Sequence, residues 1–210
     1  GSGNVTVGGL LRNAELFGLF EYDRQSGAGP HPGFGAVVKF IEDLAEGASE
    51  VVRKQVARAV SWAPWLREVP TGDGRIVLIG GVGRLPLLSQ IRSLAGRKKP
   101  KSAVVLSASF DRRLEALKRL AGLTTQGQVR CIVQPGSVEL DGRAVERLKG
   151  TVRWYPFIDP YPREKKKRKD VRAHAKLIVL DCGDRELVIY GSANLSQPAL
   201  LDEEGNTEVV

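Results

Sequence analysis

His174 and Lys176 stand two residues apart in a stretch of β-forming residues, and Gly191-Ser192-Ala193-Asn194 follows a second such stretch. Alternation along a strand would aim His174 and Lys176 at one face. The expected strands are 171–180 and 186–190, with Cys182-Gly183-Asp184 as the turn between them. Closing that hairpin carries Ser192 and Asn194 toward His174 and Lys176. The cluster then holds one titratable base, one fixed cation and two neutral hydrogen-bonding side chains. Such a set can hold a phosphodiester and attack it. The cation and the neutral donors offset the anionic charge that repels nucleophiles, and a neutral imidazole is a nucleophile.

In order, His174, Lys176, Asp181, Gly191, Ser192 and Asn194 resemble the HxK(x4)D…GSxN signature of the phospholipase D superfamily. The resemblance covers the chain from about Ala103 onward. The interval from Asp181 to Gly191 is longer than the family commonly has, and a longer hairpin turn accounts for it. The resemblance implies a catalytic set of His174, Lys176, Ser192 and Asn194, with Asp181 and Gly191 in structural roles. It also implies chemistry without a metal or other cofactor. One HxK histidine attacks phosphorus to give a phosphohistidine; a second protonates the leaving oxygen and then activates water. The family often places a carboxylate in an N-x-E segment after the GSxN asparagine. Asn206-Thr207-Glu208 matches, so Glu208 would hold the other ring nitrogen of His174. Leu106-Ser107-Ala108-Ser109-Phe110-Asp111 looks like a strand-end segment of the nuclease-like members.

That reaction needs two histidines, and the chain has two, His31 and His174. His31 lies in Gly29-Pro30-His31-Pro32-Gly33, with no lysine two residues on, and reads as a loop residue. One chain therefore supplies half of an active site. The second HxK motif is expected either from a homodimer partner about a two-fold axis or from sequence beyond residue 210. The ending 205–210 looks like the opening of another strand, which points to truncation.

The formal net charge is +8. Arg163, Lys165, Lys166, Lys167, Arg168, Lys169 and Arg172 face only Glu164 and Asp170, a net of +5 just upstream of His174. A charge run is usually a solvated loop. Leading into the reactive strand, it would concentrate a polyanion at the site. Nucleic acid is the expected partner, DNA ahead of RNA. The expected function is a phosphodiesterase that cleaves nucleic acid, as the nuclease module of a restriction or defence protein. The alternatives are a phospholipase D or phosphatidyltransferase acting on lipid, or a catalytically silent nucleic-acid-binding module. A lipid enzyme would want an apolar interfacial surface, of which the sequence offers little.

Hydrophobic residues make up 42% and charged residues 27% of the 210 positions, ordinary for a soluble globular protein with a real core. No apolar run reaches the length of a membrane span, so no membrane partner is expected. Cys131 and Cys182 lack metal-ligand spacing and read as free thiols in a reducing cytoplasm.

The elements that must position the cluster follow from periodicity. Residues 37–62 read as one or two helices ended by Pro64, with Trp62 and Trp65 as core anchors. From residue 75 strands and helices alternate: strands at 76–79, 103–107, 129–133 and 151–155, helices from Pro86 to Leu94, from Asp111 to Leu120 and at 143–148. Gly80-Gly81-Val82-Gly83 lacks a phosphate-loop ending and reads as a tight turn. Alternation of this kind implies an α/β fold with a mostly parallel or mixed sheet flanked by helices on both faces. The expected division is a Gly-rich, helical N-terminal segment, 1–74, and a phospholipase D-like catalytic half-domain, 75–210.

Overall fold

The computed structural model describes residues 33–68, 75–80, 84–125, 127–158 and 173–203. They fall into two compact units, one within 33–84 and the other within 85–203.

The first unit is helical. Helix α1 (Phe34–Glu46) and helix α2 (Glu50–Trp62) are separated at Gly47, and a single turn, α3 (Trp65–Glu68), follows Pro64. Helix α1 buries Val38 and Ala45, and Phe34 meets Trp65 edge-on at 6.3 Å between ring centres. Ion pairs Lys39–Asp43 and Arg67–Glu42 line its polar side. Trp62 is not a core anchor: it is 73% exposed. It is the last residue of a helix with no buried position, and its ring lies 4.8 Å from the Arg58 guanidinium one turn back. That cation–π contact takes the place of the expected packing.

The second unit is a mixed α/β layer structure. Helix α4 (Leu87–Ala95) precedes strand β1 (Ser102–Leu106); helix α5 (Glu115–Leu123) leads to β2 (Val129–Val133), and helix α6 (Gly142–Arg147) to β3 (Val152–Pro156). The hairpin β4 (Leu177–Asp181) and β5 (Glu186–Tyr190) comes next, then the short helix α7 (Gln197–Leu200). The sheet order is β3-β2-β1-β4-β5. Strands β1, β2 and β3 are parallel, whereas β4 runs antiparallel to both β1 and β5. The expected strand at 76–79 does not form; those residues are irregular up to a bridge at Gly80.

One sheet face is the core. Val152, Val129, Ala103 and Leu180 stand side by side in register, as do Cys131, Val105, Ile178 and Ile189, and all are buried. Both crossovers, β1–α5–β2 and β2–α6–β3, step in the same direction, and their right-handedness puts both helices over one face. Helices α4 and α5 contribute Ile91, Leu117 and Leu120, each 0% exposed. Truncating Leu120 to alanine there would cost about 2–5 kcal/mol. The Cys131 thiol sits in this layer, and burial pushes its pKa up to about 12. The other face ranges from half-buried to exposed among the described residues, with Val188 at 51% and Tyr155 at 42%.

Asp111 does start helix α5, though from outside it. Its carboxylate accepts the Glu115 and Ala116 amides at 2.8 and 3.0 Å. The chain between them turns through Leu114, a non-glycine residue at φ 56°. That left-handed conformation costs about 1–2 kcal/mol, which full burial of the leucine side chain offsets. Among the described residues no helix is long and apolar enough to cross a membrane.

Candidate active site

Because β1, β2 and β3 are parallel and β4 antiparallel, one edge of the sheet collects the ends of β1–β3, the start of β4 and the end of β5. The register Leu106↔Leu177↔Tyr190 fixes this. In parallel sheets that edge is where ligands bind. His174 and Lys176 arrive there just before β4, and Gly191–Asn194 leave from the end of β5.

His174 and Lys176 do not sit on the strand, as alternation predicted, but in an irregular segment leading into it. The reason is a side chain from β2's end: Gln134 Oε1 accepts the Ala173 amide at 2.6 Å. Ala173 and Ala175 are buried, and His174 between them is half-buried. Lys176 is only 5% exposed, and its ammonium folds back onto His174. Nζ lies 3.1 Å from Nδ1 and 2.9 Å from Nε2, and donates to the His174 carbonyl at 2.9 Å. The ring distances are nearly equal, so the ammonium sits about midway between the two nitrogens. A buried ammonium is tolerable only with such partners.

The GSxN segment is clamped to the end of β1 by Ser107, which is 3% exposed. Its hydroxyl donates to the Ser109 carbonyl at 2.8 Å and accepts the Leu195 amide at 3.1 Å. Leu195 also donates to the Ser109 carbonyl at 3.2 Å and bridges Phe110. Lys176, Gly191 and Ala193 share one narrow, mostly apolar cleft with Ser107, whose other walls include Ile91, Val105 and Leu195. Ser192 and Asn194 are half-buried on that loop. The Asn194 Oδ1 atom is buried without a hydrogen-bond partner among the described residues. An orphaned buried acceptor costs about 1–3 kcal/mol. A half-turn of the amide puts Nδ2 at the same point, a donor for an anionic oxygen.

Asp181 is not part of this cluster. It ends β4 at the opposite edge, roughly 16 Å along the strand from Lys176. There its carboxylate accepts the Gly183 amide at 2.8 Å and closes the hairpin turn, where Gly183 takes φ 92°. Glu208, His31 and the basic residues Arg163, Lys165, Lys166, Lys167, Arg168, Lys169 and Arg172 lie outside the described residues. Among the described residues no three His, Cys, Asp or Glu side chains come close enough to hold a metal ion. Sequence reading missed Gln134 as a site residue. The available signal was a glutamine directly after an apolar run and before Pro135-Gly136, at what becomes a parallel strand's end.

No family profile matches the chain, and no curated protein does. Solved structures overlap it in part, two of them forms of one yeast enzyme. Yeast tyrosyl-DNA phosphodiesterase is 12% identical with a TM-score of 0.35, over 58% of this chain and 29% of that one. A mutant form of the same yeast enzyme is 14% identical with a TM-score of 0.34, over 58% and 28%. The chain thus spans less than a third of those proteins' length, and so slight an overlap does not bear on activity or substrate.

Proposed function

We propose that this chain carries one half of a metal-independent phosphodiesterase site that cleaves nucleic acid through a phosphohistidine intermediate. The observation that carries this reading is the buried Lys176 ammonium, held 2.9 Å from the His174 ring where the parallel strands end. A phosphate entering there offers the ammonium a stronger, charged acceptor than the imidazole. Transfer of Nζ to the phosphate oxygen frees a ring nitrogen to attack phosphorus. The N–P bond forms as the P–O bond to the leaving group breaks, and a second histidine gives its proton to the departing oxygen. Water, deprotonated by that histidine, then attacks phosphorus and releases His174. The Asn194 amide donates to the oxygens that gain charge along the way.

The second histidine comes from a second copy of this chain or from a second HxK motif in sequence following residue 210. The basic run at 163–172 favours nucleic acid as substrate, DNA ahead of RNA, as in the nuclease module of a restriction or defence protein. Glu208 would orient the imidazole. The test is hydrolysis of bis(p-nitrophenyl) phosphate in excess EDTA. The wild-type rate should persist, and His174→Ala should abolish it. Complete loss on chelation would overturn the phosphohistidine route.

A further inference from the structure

The half-exposed face of the sheet carries an arrangement that the site chemistry does not use. Arg130 on β2 and Arg153 on β3 are register partners on adjacent parallel strands, and both are exposed. Strands in a sheet are about 4.8 Å apart, so two guanidinium stems rise side by side from the same pleat. Like charges directly opposed across strands destabilise a sheet. Neither arginine has an ion pair or hydrogen bond among the described residues. Their neighbour in the same row is Val104, with Val179 and Val188 beyond, so no carboxylate in the row neutralises them.

We propose that Arg130 and Arg153 form a phosphate-backbone track for a single strand of nucleic acid that reaches the site edge, an inference that rests on the nucleic-acid reading above. An anionic phosphate set between the two stems removes the repulsion and takes the forked N–H donors of both side chains. The pair is also aimed at the site. Arg130 and Ile132 alternate onto the same face of β2, and Gln134, just past the strand's end and roughly 13 Å on from Arg130, holds the backbone next to His174. A strand gripped at the pair and running along β2 arrives at the HxK segment. Because the contacts are to backbone phosphate, the track is indifferent to base sequence. The competing explanation is that the arginine stems only shield the apolar row beneath them.

The experiment measures fluorescence anisotropy of labelled oligothymidylate with the full chain over a salt series, for wild type, Arg130→Gln/Arg153→Gln and Arg130→Lys/Arg153→Lys. The glutamine pair should flatten the slope of log affinity against log salt by about 1.4, or about 0.7 for each lost single-strand contact. The lysine pair should keep the wild-type slope. The glutamine pair should melt at or above the wild-type temperature, because a repulsion has been removed. An unchanged slope overturns the track, as does a lower melting temperature, which would mean that the arginines serve the fold. Binding of wild type to anionic lipid vesicles but not to oligothymidylate also overturns it. Hydrolysis of bis(p-nitrophenyl) phosphate reads the chemistry separately. A flattened slope without hydrolysis by wild type leaves the track standing and removes the reading in which two copies of this chain complete the site, whereas normal hydrolysis with an unchanged slope overturns the track and leaves the enzyme reading standing.

Discussion

At the edge of the sheet where β1 begins, the backbone closes on itself. Lys101 donates to the Asp181 carbonyl at 2.7 Å, Thr125 to Pro100 at 2.7 Å, and Val129 to Thr151 at 3.0 Å. The hairpin turn adds Cys182 to Arg185 at 2.9 Å and Gly183 to the Asp181 carboxylate. The opposite edge of the same strands is built otherwise. There a lysine is buried on a histidine, a glutamine reaches across to hold a loop amide, and an asparagine oxygen has no partner among the described residues. Turn-closed polar groups satisfy one another within the fold, whereas a buried acceptor with no partner among the described residues calls for a separate explanation. The difference separates motif residues that share one stretch of sequence: Lys176 belongs to the second edge and Asp181 to the first.

Three substitutions bear on that contrast, in falling order of effect. Asn194→Ala at the open edge removes a donor to the developing charge, so turnover of a small phosphodiester should fall about a hundredfold or more. Its melting temperature should hold or rise, since an orphaned buried group is lost; a large fall in stability with normal turnover would class Asn194 with the turn residues. Gln134→Ala should lower kcat roughly tenfold with little change in KM, because it loosens the backbone beside His174 without touching substrate. Gln134→Glu keeps an acceptor for the Ala173 amide and should recover most of the rate. Loss of the rate in both variants would break the positioning argument. Asp181→Ala at the closed edge should cost about 1 kcal/mol in denaturant unfolding, the scale of one local hydrogen bond, with catalysis intact. A catalytic defect in a stably folded Asp181→Ala protein would erase the distinction between the two edges.

Much of the fold was legible in the chain. The apolar run at 129–133 and the alternation at 186–190 give strands with those same bounds. Of the one or two helices expected over 37–62, two form, because Gly47 and Ser49 interrupt the run. Of the candidate residues read from the sequence, His174 and Lys176 lie in contact, and Gly191 and Ala193 line the same cleft as Lys176. The β character of 76–79 misled because a short apolar run needs a neighbouring strand to become one. Trp62 misled because aromatic size says nothing of which helix end has a partner.

Local chemistry along the chain determined which segments are strands and helices, where turns fall, and which side chains could handle a phosphate, since these depend on neighbours a few residues away. Only the tertiary structure decided that β4 enters beside β1 in the reverse direction, which carries His174 to the site edge and Asp181 away from it. It also decided that Gln134 and Ser107, 39 and 88 residues away from the groups they hold, bind the HxK and GSxN segments. Contacts at such separations are set by how the sheet closes and leave no periodicity in the sequence.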